Sequence, residues 1–218
     1  MKKYEFTGET KDFCGVELHR IRALKDFGYV DAGDLGGWIE KEENLSHDGG
    51  CWVSDDAQVS GDARVYGNAW VSGDAWVSDD ARVSGDAWVS DDARVSGNAR
   101  VSGNARVSGD AWVSDDARVS GDAWVSDDAR VSGNAWVAGD AEIKAPKDTF
   151  WISAIGSRYG TTTFFRCADG KVRVTCDCFY GDLDEFLAKV EKTHGDSKHG
   201  KVYKKLIELA KIQMEEDV

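Results

Sequence analysis

The chain has 218 residues, 41% of them hydrophobic, and a formal net charge of −13, an ordinary apolar content for a soluble protein of one large or two small domains. The charge argues against general affinity for nucleic acid and favours basic partners, cations or a surface that imitates nucleic acid. No apolar run approaches the roughly 20 residues that span a bilayer, and the start MKKYEFTGET is followed by no signal-peptide core, so a cytoplasmic protein without membrane contact is expected.

Five cysteines in a chain with no visible export signal fit a reducing compartment better than a disulfide framework. Val, Ala and nine Trp supply most of the apolar fraction, a mixture that suits β-structure rather than a helical bundle.

Residues 1–52 lack the repeat that follows. KKYEFT and GVELHRIRAL read as short strands and VDAGDLGGWIEKEENLS as a turn-rich entry, while Leu45 opens a version of the repeat two residues longer. A stack of β-coils must cover its open first coil against solvent and edge-to-edge pairing, and this segment is placed to do so.

From Val53 to Glu142 a six-residue unit of the form V-S-[GD]-[DN]-A-[RWQE] runs fifteen times without insertion or deletion. Within A-[RW]-V-S, the period of two puts Ala and Val on one side of a short strand and Arg or Trp with Ser on the other. Gly-Asp, Gly-Asn or Asp-Asp then makes a corner, since these residues tolerate positive φ at least cost. Strands of about four residues are too short for a meander, whereas stacked coils bury the Val and Ala rows.

Val at the first and Ala at the fifth position of all fifteen units resemble the hexapeptide-repeat, left-handed β-helix family. The resemblance implies three units per triangular coil, hence about five coils, a left-handed winding, and a homo-oligomer, with a trimer as first choice. Residues eighteen apart then stack. One face carries Arg64, Arg82, Arg100, Arg118 and Trp136; a second carries Gln58, Trp76, Arg94, Trp112 and Arg130; the third carries Trp70, Trp88, Arg106, Trp124 and Glu142, with Trp52 extending it. Cation–π stacking is expected along the second ladder. The aligned Trp of the third form an apolar patch that calls for a cover. Arg64, Arg82, Arg100, Arg118, Trp70, Trp88, Arg106 and Trp124 are the candidate binding residues.

Past Pro146 the composition changes. TFWISAIG, TTTFFRCA and KVRVTCDCFY read as strands, and DLDEFLAKVEKTHG and KVYKKLIELAKIQMEE have helical spacing, with Asp182 or Asp184 as cap. The whole is a mainly β chain with an N-terminal β cap over 1–52, a repeat β-helix over 53–145 and a small α+β domain over 146–218. Ser157 and Arg158 sit at a turn suited to a phosphate. Cys176 and Cys178, read as two residues of one strand, share a face and with His194 offer thiol chemistry. They form only a loose metal pattern, so no metal, cofactor or catalytic residue is assigned.

Both ends also have a resemblance. GDLGGWIEKEENLSHDGGCWV is similar to the start of many uncharacterised hexapeptide-repeat proteins of phages and prophages, and GSRYGTTTFFR with CDCFYGDLDEFLAKVEKTHGDSKHGKVY to tails of phage-type proteins. The resemblance implies a phage or prophage setting in a host cytoplasm and assigns no activity. The ladders and acidic corners point to a non-enzymatic binding protein, one version being an inhibitor of a host defence or nucleic-acid enzyme that meets its basic cleft, a second stacking bases or sugars on the Trp and Arg ladders, with a structural oligomeric scaffold as the alternative. The fold's acyltransferases imply a further alternative, but they use a His on a coil and a bulging loop, and His19, His47, His194 and His199 all lie outside the fifteen units.

Sixteen Asp occupy the corners against seven Arg on the faces. Like charges about 5 Å apart repel by about 1 kcal/mol in water, so the column Asp56, Asp74, Asp92, Asp110, Asp128 predicts a melting temperature that rises with millimolar Ca²⁺ or added salt. Calorimetry across a salt series checks this, and a flat melt sinks it.

Overall fold

A computed structural model of the protein describes residues 2–214. Each unit contributes a two-residue strand, such as Trp112–Val113 or Arg118–Val119. These strands align into three parallel sheets, the three faces of a prism. The register is eighteen residues throughout, with Arg64 beside Arg82, Arg94 beside Trp112, and Trp88 beside both Trp70 and Arg106. Val and Ala point inward in every unit and are excluded from solvent. Each coil donates its N–H groups to the carbonyls of the coil after it, as in Trp112 N to Ala129 O and Ser114 N to Val131 O, both 2.9 Å. The backbone polar groups of a very thin interior are thereby paired.

The corners show why the third position of the unit is restricted. All fifteen third-position residues, from Asp55 and Gly61 to Gly133 and Gly139, have φ in the left-handed region. A Cβ added at Gly85 would lie 2.9 Å from the Gly103 nitrogen of the following coil, so in this column space and φ both require glycine. In the other two columns Asp and Gly alternate. The left-handed aspartates Asp55, Asp79, Asp91 and Asp115 accept the N–H of Gly73, Gly97, Gly109 and Gly133 one coil on, at 2.9–3.1 Å. An aspartate there closes its own corner and satisfies a donor of the next.

The prism has six coils where the fifteen units give five. β3 (Leu35–Ile39) pairs in parallel with Gln58–Val59, Leu45 bridges Val65, and Trp52–Val53 pairs with Trp70–Val71. Residues 35–52, read from sequence as part of the cap, therefore supply an irregular first coil. Its consensus is hidden because adjacent Gly36 and Gly37 stand where a Cβ would come within 2.6 Å of Ile21, Trp52 or the Ala57 carbonyl. Asn44, fully buried, replaces missing backbone donors by giving its amide to the Gly61 and Ala63 carbonyls at 3.0 and 2.9 Å.

Above this coil, β1 (Tyr4–Phe13) and β2 (Val16–Ala23) form an antiparallel hairpin joined through β2 to β3. Tyr4 packs inward and donates its hydroxyl to the Leu45 carbonyl at 3.0 Å. Lys3 is also fully buried, with Nζ 2.7 Å from the Cys51 carbonyl and 3.2 Å from its Sγ, and burial pushes its ammonium below the usual lysine range.

The other end is closed by an antiparallel sheet of Thr149–Ile155, Gly160–Arg166, Val172–Cys176 and Phe179–Asp182. Phe165 and Cys167 complete the core of the prism. Trp136 N–H, which has no further coil to bond, donates to Thr163 Oγ1 at 3.0 Å, and Asp148 accepts from Lys144 and Ala145. Helix α1 (Leu183–His194) is capped by Asp182, which accepts from Glu185 N at 2.8 Å, and α2 (Lys198–Met214) packs beside it. Phe164, Phe186, Tyr203 and Ile207 form a separate core there. KVRVTCDCFY proves to be two strands, because Asp177 adopts φ 51° and turns the chain.

Substituting Gly85→Ala should cost about 3 kcal/mol, combining left-handed strain with an overlap that the next coil's backbone cannot relieve. Gly170→Ala, also at positive φ but with nothing within 4 Å, should cost about 1 kcal/mol. Urea unfolding of the two variants measures the difference, and equal losses would mean that the coils do not lie as close as described.

Candidate functional site

The outward side chains fall into the three ladders that the eighteen-residue register requires. Arg64, Arg82, Arg100, Arg118 and Trp136 are consecutive on one face. The second face runs Trp38, Gln58, Trp76, Arg94, Trp112, Arg130. The third runs Trp52, Trp70, Trp88, Arg106, Trp124, Glu142. All eight candidate binding residues thus lie on two faces, four on each.

Geometry adds what residue type alone does not convey. Trp76, Trp88, Trp112, Trp124 and Trp136 each donate the indole N–H to a Ser Oγ sixteen residues earlier, at 3.2–3.3 Å. That Ser lies two positions along the strand of the preceding coil, so each ring reaches diagonally toward its neighbour. The recurrent Ser of the unit carries this signal once the register is known. The rings still offer surface: Trp88, Trp112, Trp124 and Trp136 are 37–49% exposed.

The first rungs are covered. Trp52, expected to extend the third ladder outward, is in register but buried against Phe27 and Tyr4, with ring centroids 5.4 and 6.4 Å apart. Trp38 lies beneath Lys11 and Arg20, and Phe13 meets Trp76 edge-on at 5.0 Å. The hairpin therefore shelters the start of the second ladder. Further along that ladder, Arg130 sits 5.8 Å from the Trp112 ring centre.

Among the described residues, none of the seven prism arginines comes within 4.0 Å of a carboxylate. The corner acids are held by other means. Asn68 and Asn104 donate their amides to Asp86 and Asp122 one coil on, at 3.0 and 2.8 Å, and Asn104 keeps those two carboxylates apart along that edge. In the all-aspartate column, Asp56 accepts from Trp38 Nε1 at 3.3 Å and faces Arg20 at 3.8 Å. Faces whose guanidinium groups pair with no carboxylate among the described residues alternate with acidic edges.

The irregular coil carries a histidine that the fifteen units lack. His47 Nδ1 accepts the Lys3 N–H at 3.2 Å, and the ring stacks on Tyr4 at 4.4 Å. Nε2 lies 3.9 Å from Glu42. Burial pushes the imidazole below the usual histidine range, and in the neutral tautomer set by Lys3 the proton sits on Nε2. The Nδ1 lone pair is thus engaged by the Lys3 N–H.

In the tail, Ser157, Arg158, Cys176, Cys178 and His194 all line one cavity of about 230 Å³. The shared strand face expected of the two thiols does not exist: Cys176 ends its strand and Cys178 falls in the turn after Asp177. Cys176 receives the Thr162 hydroxyl at 3.2 Å, and burial pushes its thiol up. Tyr203, also lining the cavity, is pushed up to about 12 by burial. Arg158 is 3.8 Å from Asp177. Among the described residues there is no group of three His, Cys, Asp or Glu arranged to hold a metal ion, and no helix long and apolar enough to cross a membrane.

Coils, corners and faces together define a parallel β-solenoid repeat protein with capped ends. The coils match the family model described as the YdcK beta solenoid repeat, over residues 57–73, 75–91, 93–109, 99–115, 111–127 and 123–139. The chain is also similar to the uncharacterized acetyltransferase YdcK of Escherichia coli strain K12, 38% identical over 63 residues. That similarity covers 25% of this chain and 19% of that protein.

Changing Asn104→Asp removes an amide donor and places four carboxylates in line, the new one together with Asp86, Asp122 and Asp140. The expected loss is about 1 kcal/mol at low salt, reduced at 1 M NaCl by screening. Paired melts at the two ionic strengths check the sign.

Proposed function

We propose that the protein is a non-enzymatic interaction scaffold that engages a basic protein partner through its rigid ladders and acidic edges. The observation that carries the reading is the outward register: four Arg on one face and exposed Trp on two others, repeated at one-coil intervals of about 4.8 Å on a core that cannot deform without opening its backbone ladder. Such a surface presents side chains already ordered, which lowers the entropic cost of association. The net charge of −13 favours a basic partner and speeds its encounter at low salt. The resemblance of both ends to phage-type proteins supports a phage setting, with a host defence or nucleic-acid enzyme as the partner and the acidic edges imitating its phosphates.

Two other readings have a specific observation behind them. Exposed Trp in register favours self-association, with a trimer as its first form. The name of the E. coli relative favours acyl transfer, against which stands a coil histidine whose Nδ1 is already held by the Lys3 N–H. Light scattering separates the first, since a stable trimer that captures nothing is a scaffold.

The test is capture from host lysate with two variants. Replacing Asp92, Asp110 and Asp128 with Asn should weaken capture at least tenfold at low salt, and capture by the parent should fall steeply with ionic strength. Replacing Arg82, Arg100 and Arg118 with Gln should leave the circular dichroism spectrum unchanged and abolish capture. Capture retained by both variants would overturn the reading of these surfaces.

A further inference from the structure

The third face holds a trough that the ladder alone does not explain. Trp70 and Trp88, adjacent rungs, stand with ring centroids 6.5 Å apart and planes inclined at 46°, so the two indoles open as a wedge. The loop after β2 brings Tyr29 to its rim, where the side chain is 96% exposed. Gly28 and Gly50 line the floor without side chains, and the corner residues Asn68 and Asp86 close the side. The trough is open to solvent and has a volume of about 940 Å³.

Its chemistry is one-sided. Asp86 is the sole ionised residue in the lining, and one of its carboxylate oxygens takes the Asn68 amide at 3.0 Å while the other is left for a ligand. The Trp88 indole N–H is already committed to Ser72 at 3.2 Å, so this ring offers its π face rather than a donor. No Lys, Arg or His lines the trough. The two indole faces and one carboxylate attract a cation with an apolar surface and repel an anion.

We infer that the trough between Trp70, Trp88 and Tyr29 is a binding site for an organic cation, an alkylammonium or guanidinium group, with Asp86 as counter-ion. On the proposed function, which this deepens, the occupant is a basic side chain of the protein partner. The wedge seats its alkyl or planar surface, and the carboxylate fixes its depth. The site is built before binding, since the coils hold both indoles in register and Ser72 fixes one of them.

Choline and its neutral isostere 3,3-dimethylbutan-1-ol distinguish charge from mere greasiness, and neither requires the partner. Titration of the full chain, followed by calorimetry and tryptophan fluorescence, should give a choline dissociation constant on the order of 1 mM, with the isostere at least tenfold weaker. Trp88→Leu should weaken choline tenfold and Asp86→Asn severalfold. Leu209→Ala, exposed on α2 and away from the trough, should leave it unchanged and controls for folding. Equal binding of the isostere, or an unchanged affinity in Trp88→Leu, overturns the inference. A captured partner without choline binding removes this site alone, whereas choline binding without any captured partner removes the proposed function and leaves the site.

Discussion

Each coil hands its N–H groups to the carbonyls of the next, and that ladder runs unbroken only if the chain returns to the same height and direction every eighteen residues. The return depends on the third residue of every unit adopting positive φ, a conformation that most side chains resist. Gly adopts it freely, and Asp adopts it with a local gain, because its carboxylate reaches the N–H of the coil above. Once the corners are set, little choice remains inside: the space between three faces admits Val and Ala, and larger apolar residues are displaced to the outside or to the caps.

That displacement explains the surface. A core made of small side chains gives little hydrophobic stabilisation per residue, and part of the remainder comes from Trp lying across the outer faces, each tied to a Ser of the preceding coil. The same rings that brace neighbouring coils remain partly open to solvent. Bracing and recognition therefore use one set of residues, and the caps decide which rings stay available. The hairpin over Trp38 and Trp76 withdraws the start of one face, while Trp88 and Trp124 stay accessible.

Much of this was legible in the sequence because a strict hexad fixes register, and register fixes which side chains are neighbours. The ladders of Arg64 to Arg118 and of Trp70 to Trp124 needed no more than counting. The first coil was not legible, since its pairing rests on Gly36, Gly37 and the buried amide of Asn44, none of which repeats. The shared face assigned to Cys176 and Cys178 failed for a related reason: a single left-handed residue, Asp177, breaks a strand that alternation alone would continue. Nor does a hexad reveal that a loop outside the repeat, with Gly28 and Tyr29, borders the trough of Trp70 and Trp88.

The alternation of Asp and Gly at two of the three corners gives the molecule a longer repeat than its strands suggest. Asp91 takes the N–H of Gly109 as Asp55 takes that of Gly73, so structurally equivalent layers lie two coils apart. Excising one coil would preserve the Val and Ala interior while setting Asp above Asp in one corner column and Gly above Gly in the other. A pair of coils is the smallest slice whose removal leaves every corner facing the same kind of residue as before, even though every single coil looks interchangeable.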